Sequence, residues 1–345
     1  MDLNKIFIKD ACPTKTGGQA VIEGIMMKGP ERSSVCVRLP DDTLYIKTEK
    51  NKKPSSIAKW PFIRGVFVFV ASLVQGMKTL MFSADVLEGY DGEGAIEYED
   101  DKVSIWLEKK FGEKGAWNVM LYSSVVFALL FTILIFVIGP TWVVNLCKHF
   151  TTNEIVLNLI EGVLRIALFV IYIVLIARME DIKRVFQYHG AEHKTIHCYE
   201  NGLELTPENC QSFYTLHPRC GTSFLVFVMV IALALFSFLG WPNLLWRIVS
   251  RILLLPVIAG LSYELLRWAG RSDNWIVKIL SMPGLWLQKL TTNEPDASQL
   301  EVAIAAMKAV TSDEGDYGTG RCDKEGRIYE HIDFTSKNIP PLTEK

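Results

Sequence analysis

The chain has 345 residues, of which 50% are hydrophobic and 21% are charged, and its formal net charge is −2. A mean hydropathy of +0.21 is high for a soluble protein and low for one made only of membrane spans, so we expect a few spans joined to soluble segments. The near-zero charge argues against a nucleic-acid binder that depends on bulk electrostatics. The start lacks the apolar core of a signal peptide, and seven scattered cysteines do not form a disulfide framework.

The N-terminal segment, residues 1–59, is predicted to hold a β-rich unit and a linker. Two β-rich runs flank a turn-forming Pro-Asp-Asp sequence at 40–42, which is typical of a hairpin. In the preceding glycine-rich run, even spacing would place Gln19 and Glu23 on one face of a strand. We therefore place a small β-unit at about 17–50. The polar face is interpreted as solvated or, alternatively, as part of a polar site.

Residues 60–114 combine an apolar stretch with an acidic one. Within the apolar run 60–82, only 65–77 is free of charge. This is too short for a membrane span and favours an interfacial or re-entrant helix. Eight acidic residues between Asp85 and Asp101, with no basic residue among them, then predict a solvated loop.

Four transmembrane helices are predicted downstream, which gives a mainly α-helical membrane protein. Residues 115–177 hold the first two, the second of them at about 155–177. Residues 223–263 hold the other two, at about 223–241 and 244–263. The second and fourth spans contain ionisable residues and should face the bundle interior or the membrane ends.

The charges of the loops predict an orientation. Residues 178–222 carry five basic residues against one in the 140–154 loop, so the positive-inside rule places 178–222 in the cytoplasm. Four spans then make a multi-pass plasma-membrane protein with both termini cytoplasmic, a count that changes if 60–82 also spans. Residues 264–311 are predicted to form amphipathic helices on the membrane or on the bundle, and 312–345 a flexible tail.

The sharpest chemical feature lies in this cytoplasmic juxtamembrane loop, where His189, Glu192 and His193 form an H-x-x-E-H pattern. On a helix the two histidines are one turn apart, so their imidazoles can share one metal ion. Glu192 lies close to both and can act as general base on a water that the metal polarises, as in zinc hydrolases with this inverted motif. A third ligand is needed, and Glu264, 71 residues after His193, is one candidate.

A second feature has H-x-x-C spacing just before the third span, at His217 and Cys220. Imidazole and thiolate are both good ligands for Zn²⁺. We predict a divalent metal site, most simply Zn²⁺, in which His217, Cys220 or Glu264 completes the histidine pair of the first motif. Arg219 is predicted to bind an anionic group of the substrate. The alternative is a set of hydrogen-bonded interfacial histidines without a metal.

Five stretches together resemble one protein family: GGQAVIEGIMMKGP, YHGAEHKTIHCYE, LHPRCGTSF, SYELLRW and PGLWLQKLTTNEPDASQLEVAI. Their combination is similar to the YqhQ-like family of bacterial integral membrane proteins, a domain of unknown function often described as a predicted metal-dependent enzyme. The resemblance covers about 15 to 310 and implies an integral membrane protein with a metal dependence. It implies no particular substrate or reaction.

The predicted function is that of a membrane-bound, zinc-dependent hydrolase at the cytoplasmic membrane face. A site at the bilayer edge would suit a lipid-linked or membrane-protein substrate, and an oligomer is compatible with this function. One alternative is a non-enzymatic assembly factor or scaffold whose His/Cys loop binds a structural metal or none. An oligomeric transporter is a further alternative, although four spans are few for one.

Overall fold

The computed structural model describes most of the chain. The described residues are 6–7, 12, 14–52, 60–61, 63–90, 102–147, 149–239, 244–269, 274–312 and 317–332. Most of the predicted acidic loop lies outside the described residues, as do the linker over 53–59 and the predicted tail beyond residue 332.

Helices make up most of the described chain, which confirms the predicted mainly α class. They are α1 (Ile63–Glu88), α2 (Lys102–Ile133), α3 (Gly139–Cys147), α4 (Glu154–Ile176), α5 (Glu180–Glu200), α6 (Pro207–Gln211), α7 (Gly221–Ser237), α8 (Leu244–Ala269), α9 (Trp275–Thr291) and α10 (Ala297–Thr311). A π-helical turn, Leu134–Ile138, joins α2 to α3, and the backbone of Gly112 interrupts α2. The strands are β1 (Gly17–Val21), β2 (Gly24–Lys28), β3 (Arg32–Arg38), β4 (Leu44–Lys50), β5 (Gly318–Cys322) and β6 (Ile328–His331).

The chain divides into two compact units. The first comprises the described parts of Met1–Ala95, Ile173–Ile231 and Ser250–Lys345, and the second those of Ile96–Tyr172 and Ala232–Val249. The first unit contains the sheet, α5 and α10, and the predicted metal ligands.

A six-stranded antiparallel sheet in the order β1-β2-β3-β4-β5-β6 forms the framework of the first unit. The predicted N-terminal β-unit is confirmed, but the sheet continues with two strands from the C-terminal segment, where Cys322 pairs with Leu44. The prediction of a flexible tail is therefore corrected for β5 and β6. Their physical anchor is Arg321, which is fully buried and pairs with Asp41 and Glu330.

The two faces of the sheet are covered by different helices. Ile25 and Met27 alternate with Met26 along β2, so the first two point to one face and Met26 points to the other. The first face packs on α5 and α10, where the small alanines of α10 allow a close approach. The second face packs on the last turns of α1, through Phe82 and Val86. The second half of α5, from Tyr188 to Cys198, is thereby packed against the sheet.

Within the described part of the chain, four helices are long and apolar enough to cross a membrane by their length and composition: Ile63–Glu88, Tyr122–Cys147, Glu154–Ile176 and Val249–Ala269. The last three agree with predicted spans. The predicted third span, 223–241, corresponds to α7, which has 17 residues and ends at Ser237. The helix predicted within 60–82 continues to Glu88 instead, because its last turns find an apolar partner in the sheet. The number of candidate spans is four, as predicted, but Ile63–Glu88 is among them and the predicted span 223–241 is not.

In the second unit, a polar pair lies within one of the apolar helices. Glu161 is buried and accepts a hydrogen bond from Thr141 Oγ1 at 2.9 Å, and it also pairs with Arg165 one turn further along α4. This contact satisfies two charges in a segment where an unpaired charge is costly. We interpret it as structural.

Candidate metal centre

Three side chains that the sequence proposed as metal ligands come together in the first unit. His189 and His193 lie one turn apart on α5, with ring centroids 4.4 Å from each other. Cys220, the residue before α7, reaches the same point. One potential ligand atom of each residue lies within 4.8 Å of the other two. Among the described residues, this three-ligand cluster is the one group of three or more His, Cys, Asp or Glu side chains with metal-binding spacing.

Main-chain carbonyls orient both imidazoles of the three-ligand cluster. His189 Nδ1 donates to Thr291 O at 2.8 Å, and His193 Nδ1 donates to Thr215 O. A carbonyl only accepts, so each Nδ1 carries a proton and Nε2 is the ring nitrogen left to face the cluster. His189 Nε2 lies 3.2 Å from Cys220 Sγ, and His193 Nε2 is buried without a hydrogen-bond partner in the described part of the chain. Metal-binding histidines in proteins are held in this way.

The charges within the three-ligand cluster favour the metal-binding form of Cys220. Burial alone would raise the pKa of its thiol, but the charges of His193 and His189 bring the pKa well below its usual 9.0. Burial would likewise lower the pKa of His189, whereas the Cys220 charge raises it to about 9. Thr222 Oγ1 also donates to Cys220 Sγ at 3.2 Å. His189 and Cys220 therefore form an imidazolium–thiolate pair, in which the cysteine has the form that ligates metals.

Glu192 is held beside the three-ligand cluster by the first strand. Its Oε1 accepts a hydrogen bond from Gly18 N at 2.9 Å, and burial raises the pKa of its carboxyl. A Cβ atom on Gly18 would lie 2.9 Å from Glu192 Cδ and 2.7 Å from Met26 O. Glycine is therefore required at this position for β1 to approach α5 so closely.

The polar face that the sequence suggested at Gln19 and Glu23 does not form. Glu23 lies in the turn between β1 and β2, with a left-handed φ of 49°, and pairs with Arg184 while accepting a hydrogen bond from Tyr188. Gln19 Nε2 donates to Gly76 O on α1 at 3.4 Å. This corrects the interpretation of the glycine-rich run, because its contribution to the site is the Gly18 amide.

His217 has a supporting position and is not one of the three clustered ligands. Its Nδ1 accepts a hydrogen bond from Arg219 N at 3.3 Å, and its Nε2 faces Glu200 Oε2 at 3.7 Å. Burial lowers the pKa of His217 to about 3, so the ring is neutral and carries its proton on Nε2. Its ring centroid lies 5.5 Å from that of His193. His217 is outside the three-ligand cluster in this geometry, and its role as a ligand stays a prediction.

The other two predicted residues have charged partners elsewhere. Glu264 on α8 accepts a hydrogen bond from Arg64 Nε at 2.6 Å and is not part of the three-ligand cluster, and its role as a ligand stays a prediction. Arg219 contacts both carboxylate oxygens of Glu200. Its guanidinium charge is thereby paired within the protein, and its role in binding substrate charge stays a prediction.

Several supporting groups were not predicted from the sequence. The Thr291 and Thr215 carbonyls gave no signal, because a main-chain carbonyl does not depend on the residue type. Gln288 on α9 is fully buried and holds the main chain of His217 at both ends, accepting from its N at 2.8 Å and donating to its O at 2.9 Å. Gln288 could have been identified from the sequence as a glutamine on the apolar face of an amphipathic helix.

Glu200 gives this region a pH-dependent stability. Burial alone would raise the pKa of Glu200, but the neighbouring His217, the Thr14 amide and the Arg219 guanidinium lower it from 4.5 to about 2. A carboxyl with a lowered pKa stabilises the fold fully above its unfolded value, and this contribution is lost as the pH falls from about 4.5 to about 2.

We therefore expect Glu200→Gln to lower the Tm by several degrees at pH 7, with a difference from wild type that narrows below about pH 4.5. Thermal unfolding in detergent at a series of pH values measures this. Glu204→Gln, at an exposed carboxyl, is the matched control. A Tm difference that stays constant with pH would contradict the assignment.

Comparison with known families matches residues 60–313 to the family described as "Protein of unknown function (DUF1385)". The chain belongs to the DUF1385 family. It is also 35% identical over 307 residues to the uncharacterized protein YqhQ of Bacillus subtilis (strain 168), across 87% of this chain and 93% of that protein. No solved structure matches. The resemblance to a YqhQ-like family is thereby confirmed, and the DUF1385 match includes all members of the three-ligand cluster.

Proposed function

We propose that this DUF1385 protein is a membrane-bound, zinc-dependent hydrolase whose metal ligands are His189, His193 and Cys220. The observation that carries the proposal is the convergence of two imidazole Nε2 atoms, each oriented through Nδ1, on a thiol that its surroundings favour as thiolate. Two nitrogens and one sulfur form a donor set that suits Zn²⁺. A bound zinc ion would supply Lewis-acid polarisation of a substrate oxygen or a water.

The number of ligands supports a catalytic rather than a structural metal. Structural zinc sites are closed by four protein ligands, whereas catalytic ones have three and keep one position open. The three-ligand cluster has no fourth His, Cys, Asp or Glu ligand among the described residues. This favours an enzyme over the alternative of a scaffold with a structural metal.

Glu192 is proposed as the general base. It lies on α5 directly before His193, and the Gly18 amide fixes one of its oxygens. Burial raises the pKa of Glu192, which brings a carboxyl closer to the neutral range in which a general base works best. The chain thus places a proton acceptor next to the position that the metal would occupy.

The proposed location is the cytoplasmic face of the plasma membrane. α5 begins four residues after the end of α4, a helix long enough to span, so the three-ligand cluster lies close to the membrane along the chain. The excess of basic residues over 178–222 supports the cytoplasmic side. A hydrolase in this position would act on a lipid-linked or membrane-protein substrate.

Hydrolysis of p-nitrophenyl acetate by purified, zinc-loaded protein tests this function. Wild type is expected to exceed His193→Ala, and Glu192→Gln is expected to lose about 10²–10⁴-fold while its zinc content is unchanged. Glu204→Gln is the control for loss of a carboxyl elsewhere. Full hydrolysis by Glu192→Gln would refute the general base, and zinc-loaded wild type that is no faster than His193→Ala would favour the scaffold.

A further inference from the structure

The sheet fixes which parts of the first unit share one side of a bilayer. β4 and β5 are hydrogen-bonded neighbours, although 267 residues separate Lys50 from Gly318. α5 packs on β1 and β2, and α10 packs on β2 and β3. A hydrogen-bonded sheet with helices on its faces cannot be divided by a membrane. All these elements therefore lie on one side, here called the sheet side.

Helix α1 begins and ends on the sheet side. Its last turns belong to the core under the sheet, where Phe82, Val86 and Leu87 are buried. Its first turn follows β4 after residues 51–62, which include three lysines and two prolines. Even as a helix, these 12 residues would extend only about 18 Å, against about 30 Å for the hydrocarbon layer. An extended form of this segment is also excluded, because lysine side chains and backbone groups without hydrogen-bond partners do not cross lipid.

Helix α1 nevertheless exposes a long apolar face. Side chains along its first five turns are each about half exposed: Phe67 48%, Val70 52%, Leu73 59%, Val74 50% and Met77 49%. An apolar face of this extent is far more than scattered surface residues provide, and in a soluble setting it would favour aggregation. Its length and composition resemble a membrane span, but its connections do not allow one.

Helix α9 has the same two-faced character. One face is buried and carries Gly284, Gln288 and Thr291 toward the site. The opposite face exposes large apolar side chains between Trp275 and Trp286: Trp275 68%, Ile276 40%, Ile279 54% and Trp286 57%. Tryptophan at both ends of an apolar face is typical of a helix at the membrane–water interface.

We propose that α1 and α9 lie in the interface of the bilayer leaflet on the sheet side, with their exposed apolar faces against lipid. Lipid is the expected partner of these faces because both helices adjoin α8, which contains the candidate span Val249–Ala269. Gly65 of α1 packs against Gly260 of α8, and Arg64 pairs with Glu264. Val277 of α9 shares a core with Ala269, the last residue of α8.

The leaflet thereby contacts the supports of the three-ligand cluster from two directions. On one side, α1 packs through Gly76 on Gln19, the neighbour of the Gly18 that holds Glu192. On the other, α9 supplies the Thr291 carbonyl to His189 and holds the main chain of His217. The two interfacial helices couple lipid contact to the geometry of the site.

Sided labelling tests the topology of α1. p-Azidophenylalanine is placed singly at Trp60, Glu88 or Tyr329 of the full chain, and right-side-out and inside-out vesicles are treated with a membrane-impermeant strained alkyne. All three positions are exposed. We expect them to react in the same type of vesicle. Reaction of Trp60 and Glu88 in opposite types would show that α1 crosses and would overturn the proposal.

Photocrosslinking tests the lipid contact directly. p-Benzoylphenylalanine is placed at Leu73 or Ile279, and the protein is reconstituted into nanodiscs of phosphatidylcholine and phosphatidylglycerol. We expect phospholipid adducts by mass spectrometry at both positions, with a yield within a few-fold of that at Phe127, and none at Tyr329. Adducts at Phe127 without adducts at Leu73 and Ile279 would overturn the proposal. Neither experiment depends on zinc, so the proposed hydrolase and this inference fail independently.

Discussion

Purified wild-type protein is expected to bind about one zinc ion per chain, and His193→Ala to bind at least about 100-fold more weakly. Losing a group that only supports a ligand typically costs 10–100-fold in metal affinity, so loss of a ligand should cost at least that much. Metal analysis after purification without chelators, followed by competition with a zinc chelator, measures both quantities.

The matched control for His193→Ala is His197→Gln. His197 lies one turn further along α5, is also buried, and donates to Leu216 O at 3.0 Å without entering the three-ligand cluster. We expect this variant to keep its zinc. Wild type that is free of metal, or equal zinc in wild type and His193→Ala, would refute the metal centre.

Cobalt substitution identifies the sulfur ligand separately. Co²⁺ bound to a thiolate gives a charge-transfer absorption in the near ultraviolet, so wild type should show this band and Cys220→Ser should not. The buried Cys198→Ser is the control, because Cys198 is outside the three-ligand cluster. A band of equal strength in Cys220→Ser would show that another cysteine supplies the ligand.

Gly190→Ala is expected to destabilise the protein by about 1–3 kcal/mol and to weaken zinc binding. Gly190 directly follows His189 within the H-x-x-E-H motif, and a Cβ atom here would collide with the Asn293 carbonyl oxygen and lie 3.2 Å from Thr215 Cγ2. The added methyl group pushes α5 away from the segment whose Thr291 carbonyl orients His189.

A loss of stability in Gly190→Ala is informative, because alanine normally stabilises the interior of a helix by about 1 kcal/mol relative to glycine. Gly221→Ala is the control, since it adjoins Cys220 and a Cβ atom there meets nothing within 4 Å. Chemical denaturation in detergent and zinc competition are measured on both variants. A Gly190→Ala protein as stable as wild type would show that α5 does not approach this segment so closely.

The features predicted well from the sequence are those that local periodicity determines. The spacing of His189 and His193 fixes a shared helical face wherever that helix packs, and the β-rich runs of the N-terminal segment specify strands through alternation. Cys220 was one of three candidates for the third ligand. Spacing could not select among them, because the choice depends on Gln288, which holds the 217–220 loop, and on Arg64, which pairs with Glu264.

The features that were missed depend on partners distant in the chain. β5 and β6 have five and four residues with little apolar character, and they become strands because β4 offers a free edge and Asp41 pairs with the buried Arg321. The length of α1 depends in the same way on the sheet that receives its last turns. Intrinsic secondary-structure propensity is a weak predictor where tertiary contacts determine whether a strand or helix forms.

The sheet that joins both ends of the chain also sets an order of biosynthesis. β1 to β4 leave the ribosome first, but their last strand keeps an open edge until β5 is made, and the face that packs on α5 and α10 stays partly uncovered until α10 is made. Thr291, which orients His189, is likewise translated after all four described helices that are long and apolar enough to span. The site is therefore completed only late in synthesis, and the membrane helices have to be inserted without a finished soluble unit to guide them.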